Sequence, residues 1–254
     1  MSRAVVRVLG HRGARARAPE NTVASFERAL ADGADGLELD VRSLGDGTPV
    51  VMHDASVDRT TDGRGPLAEL DRAGLAALDA GAKFAAAFAG ERVPLFADVL
   101  DRFLGRTILA VEMKEVLPAP TLDLLAAAIA ARPSAPLILA SFKLDAVERV
   151  RDRLPDVPRA LILPEGAGLP SVESAKRLGL WGVSAPDRDV DARFARGAAE
   201  RGLALWVWTV NDASRADALV ALGATGIITD DPALVRARLG PRVAPLPRAE
   251  DLAR

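Results

Sequence analysis

Short apolar runs of strand character alternate with helix-period segments along nearly the whole chain, and that alternation limits the folds open to it. The first run, Val5–Leu9, ends at Gly10-His11-Arg12-Gly13. A loop from Ala14 to Glu20 leads into a helix carrying Val23, Phe26, Ala29 and Leu30. Asn21 or Thr22 can cap it, and Asn21 is assigned to that cap. The second strand is Asp35–Val41. After an interruption come helix Leu95–Phe103 and strand Thr107–Met113, then helix Thr121–Ala131 and strand Leu137–Ser141. Helix Asp145–Arg153 leads to strand Arg159–Leu163, and helix Ser171–Leu178 to strand Trp181–Ser184. Helix Ala192–Arg201 leads to strand Ala204–Val210, helix Ala213–Leu222 to strand Gly226–Thr229, and Pro232–Leu239 is a last helix. Eight such strands in 254 residues predict an α/β fold, a (β/α)8 TIM barrel. An open doubly wound sheet is the competing arrangement, but no G-x-G-x-x-G follows the first strand.

With 49% of residues in the hydrophobic set, the chain can bury one barrel-sized core. Residues 1–240 are expected to form a single domain. Ala55–Val93 breaks the alternation with a turn-rich T-T-D-G-R-G-P and a helix-like piece, Leu67–Leu78, and reads as a small insertion after the second strand. Residues 241–254 form a tail rich in Pro, Arg and Ala, expected to be loosely held. A net charge of −2 and the lack of a basic block argue against a nucleic-acid partner. The absence of Cys excludes disulfides, zinc thiolates and a Cys nucleophile. No apolar run reaches about 18 residues and no leader pattern opens the sequence, so a cytoplasmic protein without stable membrane insertion is expected. Oligomeric state is left open.

In a barrel of this kind the chemistry sits at the C-terminal strand ends. Leu37, Leu39 and Val41 alternate with Glu38, Asp40 and Arg42, which puts both acids on one side of a strand. Asp46-Gly47 turns the chain into Pro49–Met52, which ends at His53-Asp54. Glu112 and Lys114 share a face of the third strand, and His11-Arg12 close the first. Three acids from neighbouring strands repel one another unless a cation lies between them. A hard divalent ion, Mg²⁺ or Ca²⁺, suits Glu38, Asp40 and Glu112. Arg12 and Lys114 offer fixed positive charge to a phosphate. The only two His, His11 and His53, can serve as acid and base. Together these groups point to phosphoryl transfer or phosphodiester hydrolysis. Read singly, Glu112–Lys114 is as well explained by an ion pair lining the barrel, and Trp206 and Trp208 by the core, where Trp181 is also placed.

At these residues the sequence resembles the glycerophosphodiester phosphodiesterase family. The matching pieces are H-R-G at His11–Gly13, P-E-N-T at Pro19–Thr22, G-L-E-L-D-V at Gly36–Val41 and D-G-T-P-V-V-M-H-D at Asp46–Asp54. D-R-T-T-D-G-R-G follows at Asp58–Gly65, then V-E-M-K at Val111–Lys114, S-F at Ser141-Phe142, W-T-V-N at Trp208–Asn211 and G-I-I-T-D-D-P at Gly226–Pro232. The resemblance implies a metal-dependent hydrolase releasing glycerol 3-phosphate and an alcohol from a small-molecule glycerophosphodiester. Glu38, Asp40 and Glu112 are then metal ligands, His11 and His53 the acid/base pair, Arg12 and Lys114 the phosphate-binding groups, and Trp208 the face that packs on glycerol. The chain departs from the family at Val93–Leu100, where a Thr and a Glu are more usual, and Trp206 is bulkier than expected. A phospholipase D-type enzyme acting on lysophospholipids or sphingolipids is a second reading. A non-catalytic phosphate-binding barrel is a third, disfavoured by the intact His pair.

Overall fold

The computed structural model describes residues 6–241 and 247, so most of the expected tail lies outside the described residues. Among the described residues nine strands are present in chain order: β1 Arg7–His11, β2 Gly36–Ser43, β3 Pro49–Val51, β4 Ile108–Met113, β5 Leu137–Ser141, β6 Arg159–Ile162, β7 Gly182–Pro186, β8 Ala204–Trp208 and β9 Gly226–Thr229. Eight of them close into a parallel ring, β1-β2-β4-β5-β6-β7-β8-β9, with β9 returning to β1. This is the expected TIM barrel. The extra strand, β3, lies outside the ring and pairs antiparallel with the end of β2, Val41 opposite Val51. The loop between them turns at Gly47, whose φ of 83° suits the residue that lacks a Cβ.

The helices are α1 Val23–Ala31, α2 Arg72–Ala77, α3 Phe96–Phe103, α4 Ala119–Ala131, α5 Leu144–Arg153, α6 Gly168–Arg177, α7 Ala192–Glu200, α8 Ala213–Leu222 and α9 Pro232–Leu239. All but α2 cover the outside of the ring. Their apolar residues recur at helical spacing; in α3, Phe96, Val99, Leu100 and Phe103 are all buried. Helix starts follow side-chain chemistry: Asp191, Asp212 and Asp231 cap α7, α8 and α9. The cap of α1 is Thr22, which accepts from the Ser25 N–H at 3.2 Å. Asn21, expected there, has φ 58° and turns its side chain to the strand ends instead.

Residues 52–95 form the insertion over the β2–β3 hairpin. Val57, Leu67, Leu75, Leu78 and Val93 close a small core of their own with Leu44, Val50 and Met52. The single helix expected over Leu67–Leu78 is broken: Leu67–Glu69 is one 3₁₀ turn, Leu70 is extended, and Asp71 restarts the helix by capping the Gly74 N–H. Among the described residues no helix is long and apolar enough to cross a membrane.

The barrel interior is lined by Leu9, Ile108, Ala110, Ile138, Ala140, Ala160, Ile162, Trp206 and Ile228. Trp206 is the bulkiest of these, and it fits because Gly226 on the neighbouring strand has no side chain. A Cβ at Gly226 would meet Trp206 Cδ1 at 2.4 Å. Trp206 also meets Trp181 edge-on, ring centroids 5.1 Å apart. Gly226→Ala should therefore cost about 1–3 kcal/mol, the usual range for overpacking. Thermal melts should show it, and Trp206→Leu in the same chain should recover most of the loss. A Gly226→Ala protein as stable as the parent would show that the indole shifts freely.

Candidate active site

The C-terminal strand ends gather every residue singled out in the sequence into one region. His11 ends β1, Glu38 and Asp40 lie on β2, His53 follows β3, Glu112 lies near the end of β4 with Lys114 directly after it, and Trp208 ends β8. Leu37, Leu39 and Val41 face the helical layer, so the acids between them face the barrel interior. Glu38, Asp40 and Glu112 are all buried, and one carboxylate oxygen from each lies within 4.8 Å of the others. That separation matches an ion bonded to oxygens at about 2.0–2.6 Å.

Cations already balance part of this charge. Lys114 Nζ lies 3.0 Å from Asp40 Oδ1 and 2.5 Å from Glu112 Oε1. Arg12 Nε lies 3.2 Å from Asp40 Oδ2, and the Arg12 backbone N–H donates to Glu38 Oε2 at 3.1 Å. Asn21 Nδ2 donates to Asp40 Oδ2 at 2.8 Å. Yet Asp40 Oδ1 is buried with no aligned hydrogen bond, leaving acceptor capacity turned into the trio. Burial pushes the Glu38 carboxyl well above the usual range, and Asp40 and Glu112 push it further. Burial, then Asp40, raises Glu112 to about 7. Burial opposes ionisation of Asp40 too, but Lys114 and Arg12 outweigh it and hold this carboxyl below its ordinary value. Two carboxyls that resist ionisation beside one that is firmly anionic would ionise more readily with further positive charge between them. The donor set, all oxygen and buried, fits a hard divalent cation.

Each imidazole is anchored at one nitrogen. His11 Nδ1 lies 2.7 Å from Asp230 Oδ1, and His53 Nδ1 lies 2.7 Å from Asp54 Oδ1. Asp54 is held down to about 2, chiefly by the Arg59 hydrogen bond, and Asp230 is also held below the usual range. Ionised carboxylates only accept, so both rings donate from Nδ1 and keep Nε2 as the acceptor for the cavity they line. Burial lowers both His, against the pull of Asp230 on His11 and of Asp40 on His53, which favours neutral rings at neutral pH.

Comparison with known proteins agrees with this geometry. Residues 11–234 match the model of the glycerophosphoryl diester phosphodiesterase family. The chain belongs to that family. It is 33% identical over 229 residues to the glycerophosphodiester phosphodiesterase of Caldanaerobacter subterraneus, covering 89% of this chain and 94% of that one. In structure it is similar to a phosphodiesterase of Oleispira antarctica in complex with the product sn-glycerol-3-phosphate, with a TM-score of 0.83 and 26% identity over 92% of this chain and 97% of that one. It is also similar to the glycerophosphodiester phosphodiesterase of Agrobacterium tumefaciens, with a TM-score of 0.81 and 27% identity over 92% and 100% of the two chains. The chain is an enzyme, a glycerophosphodiester phosphodiesterase.

Several members of the site carried no assigned role in the sequence. Asp230 and Asn211 form one: Asn211 Nδ2 donates to Asp230 Oδ2 at 2.8 Å, fixing the partner of His11. Both stand in quoted family motifs, and Asp230 directly follows β9, which was the available signal. Glu20 is another. It joins Arg12 at 2.8 Å and takes both terminal nitrogens of Arg59 at 2.8 Å, so it ties β1 to the insertion. Trp181, placed in the core, is only partly buried and lines the cavity. The departure at Val93–Leu100 falls on α3, outside the ring, whose first residue follows Leu95 with no side-chain cap.

Burial opposes the charge on Glu20, but Arg59 and Arg12 outweigh it and lower Glu20 to about 2. A carboxyl lowered in the folded state adds stability above its unfolded pKa and loses it as pH falls through the folded one. Arg59→Ala should thus widen the melting-temperature gap to the parent at pH 7, and the gap should close as pH drops from about 5 toward about 2. A gap of constant size across that range would remove Arg59 as the anchor of Glu20.

Proposed function

We propose that this site hydrolyses a glycerophosphodiester to glycerol 3-phosphate and an alcohol, with one divalent ion, Mg²⁺ or Ca²⁺, held by Glu38, Asp40 and Glu112. The observation that carries the reading is the meeting of two carboxylate-anchored imidazoles, two cations, Glu38 and Glu112 in one cavity, with Asp40 buried against those two acids. The relative solved with glycerol-3-phosphate as its product supports the substrate class. Glu38, Asp40 and Glu112 would hold the ion, whose charge would offset theirs and polarise the phosphate.

The protein residues do the rest. Arg12 and Lys114 stand at the trio; once the carboxylates are otherwise neutralised, their N–H groups turn to the phosphate and stabilise charge growing on its oxygens. The attacking oxygen loses a proton to the Nε2 acceptor of one His, and the departing alkoxide takes a proton from the other. Asp230 and Asp54 keep each ring in the working tautomer and stabilise its charged form. The phosphodiester anion raises the proton affinity of the ring it touches, readying that ring to donate. Trp208, held by a hydrogen bond from its Nε1 to the Ser184 carbonyl at 3.1 Å and edge-on to Phe142, offers an apolar face for the C–H groups of glycerol.

Removal of divalent ions by chelator should abolish turnover, and either Mg²⁺ or Ca²⁺ should restore it. Asp40→Ala should lose ion binding, read by calorimetry, together with activity; full turnover in the chelated protein would refute the metal assignment. His11→Ala and His53→Ala should each lower kcat by roughly 10²–10⁴. A nitrophenyl ester, whose leaving group needs no proton, should rescue the acid variant and not the base variant. Near-parental kcat in both variants on a natural diester would sink the acid/base pair.

A further inference from the structure

A (β/α)8 barrel ordinarily fills its interior with layers of branched side chains. Here the same cavity that holds the catalytic groups continues down the barrel axis, a volume of about 210 Å³. Below Glu112 its wall is apolar: Ala110, Ile138, Ala140, Ala160, Ile162 and Ile228, floored by Trp181 and Trp206. Ala140 and Ala160 are register partners on neighbouring strands, and Ala110 stands two residues below Glu112 on β4. Three alanines where a barrel normally carries bulk leave the hollow open. Ser184 is the one polar side chain among the residues lining the cavity away from the charged groups.

We propose that this shaft is a subsite for a short aliphatic group carried by the diester, and that Ala110, Ala140 and Ala160 set its depth. The inference rests on the hydrolase reading above. A phosphate held by Arg12 and Lys114, beside Glu112, stands at the head of the shaft, so one of its two ester substituents can enter. A strongly hydrated head group such as serine would lose its water there and find almost no partner. An aliphatic chain loses nothing and gains the apolar wall. Such a chain can sit on the alcohol that leaves or on the glycerol that stays. The chemistry of recognition is the same for both, and only the attachment point differs.

The test is kcat/KM for two series of diesters with chains of two, four and six carbons, measured as release of the phosphate monoester. One series carries the chain on the alcohol, the other as an ether on glycerol. In at least one series kcat/KM should rise about two- to fourfold per methylene until the shaft is full. A rise with the alcohol chain assigns the shaft to the leaving group, and a rise with the glycerol ether assigns it to the glycerol side. Ala160→Leu and Ala140→Leu should flatten that rise, bringing the ratio of the longest to the shortest chain towards one. Rates independent of chain length in both series of the parent protein would overturn the subsite while leaving the hydrolase reading intact. Failure to hydrolyse any diester would instead strike the hydrolase reading itself.

Discussion

Three carboxylates buried together at one end of a barrel repel one another, and much of this structure answers to that repulsion. Asp40 sits at the centre. It receives Lys114, Arg12 and Asn21, contributed by three separate segments of the chain. Removing water from a carboxylate without a partner is unfavourable by several kcal/mol, so each of these contacts is required and not ornamental. Glu38 and Glu112 have fewer partners, and their carboxyls resist ionisation accordingly. The asymmetry is informative: Lys114 lies on Asp40 Oδ1 and Arg12 and Asn21 on Oδ2, so both cations reach one carboxylate of the three. The trio is an arrangement that could hold a cation.

Backbone conformation is set by the same requirement. Arg12 and Asn21 both adopt positive φ, 54° and 58°, which is unfavourable for residues other than glycine. Each conformation is held by what it delivers. At Arg12 the turn aims the backbone N–H at Glu38, and at Asn21 it frees the amide for Asp40 while the Asn21 N–H donates to the Arg12 carbonyl at 2.9 Å. The β2–β3 hairpin serves the opposite rim. It carries His53 back over the strand ends, and Arg42 Nε donates to the His53 carbonyl at 2.7 Å to keep it there. Strain and hydrogen bonding thus converge on the acidic trio and on His53.

What the sequence disclosed follows from which forces act locally. Period-two alternation placed Glu38 and Asp40 on one face, and all eight ring strands were marked by their own apolar runs, because strand burial is a property of neighbouring residues. Positions set by distant partners were not legible. Thr22 and Asn21 are equally good caps on paper, and only the proximity of Asp40 decides that Asn21 turns away. The pairing of His11 with Asp230 spans 219 residues, so no local pattern encodes it. The insertion misled for a local reason: Leu67–Leu78 has helical composition, but Asp71 competes for the Gly74 N–H and splits it.

The barrel keeps its stability and its chemistry in different layers. Two large clusters between the ring and the helices contain Phe26, Phe96 and Phe103 on one side and Val183, Leu205 and Ile227 on the other. They are buried, and they supply the dispersion and hydrophobic terms that hold the ring closed. The interior can then be spared from close packing. A hollow lined by alanines forgoes contacts that larger side chains would make, so it lowers stability relative to a filled core. Trp206 and Trp181 fill the base of the axis and stop the hollow from running through the barrel, which leaves open only the part continuous with the carboxylates. Packing forces alone would close that space. Its persistence directly beneath the charged groups ties it to the ligand that the charged groups hold.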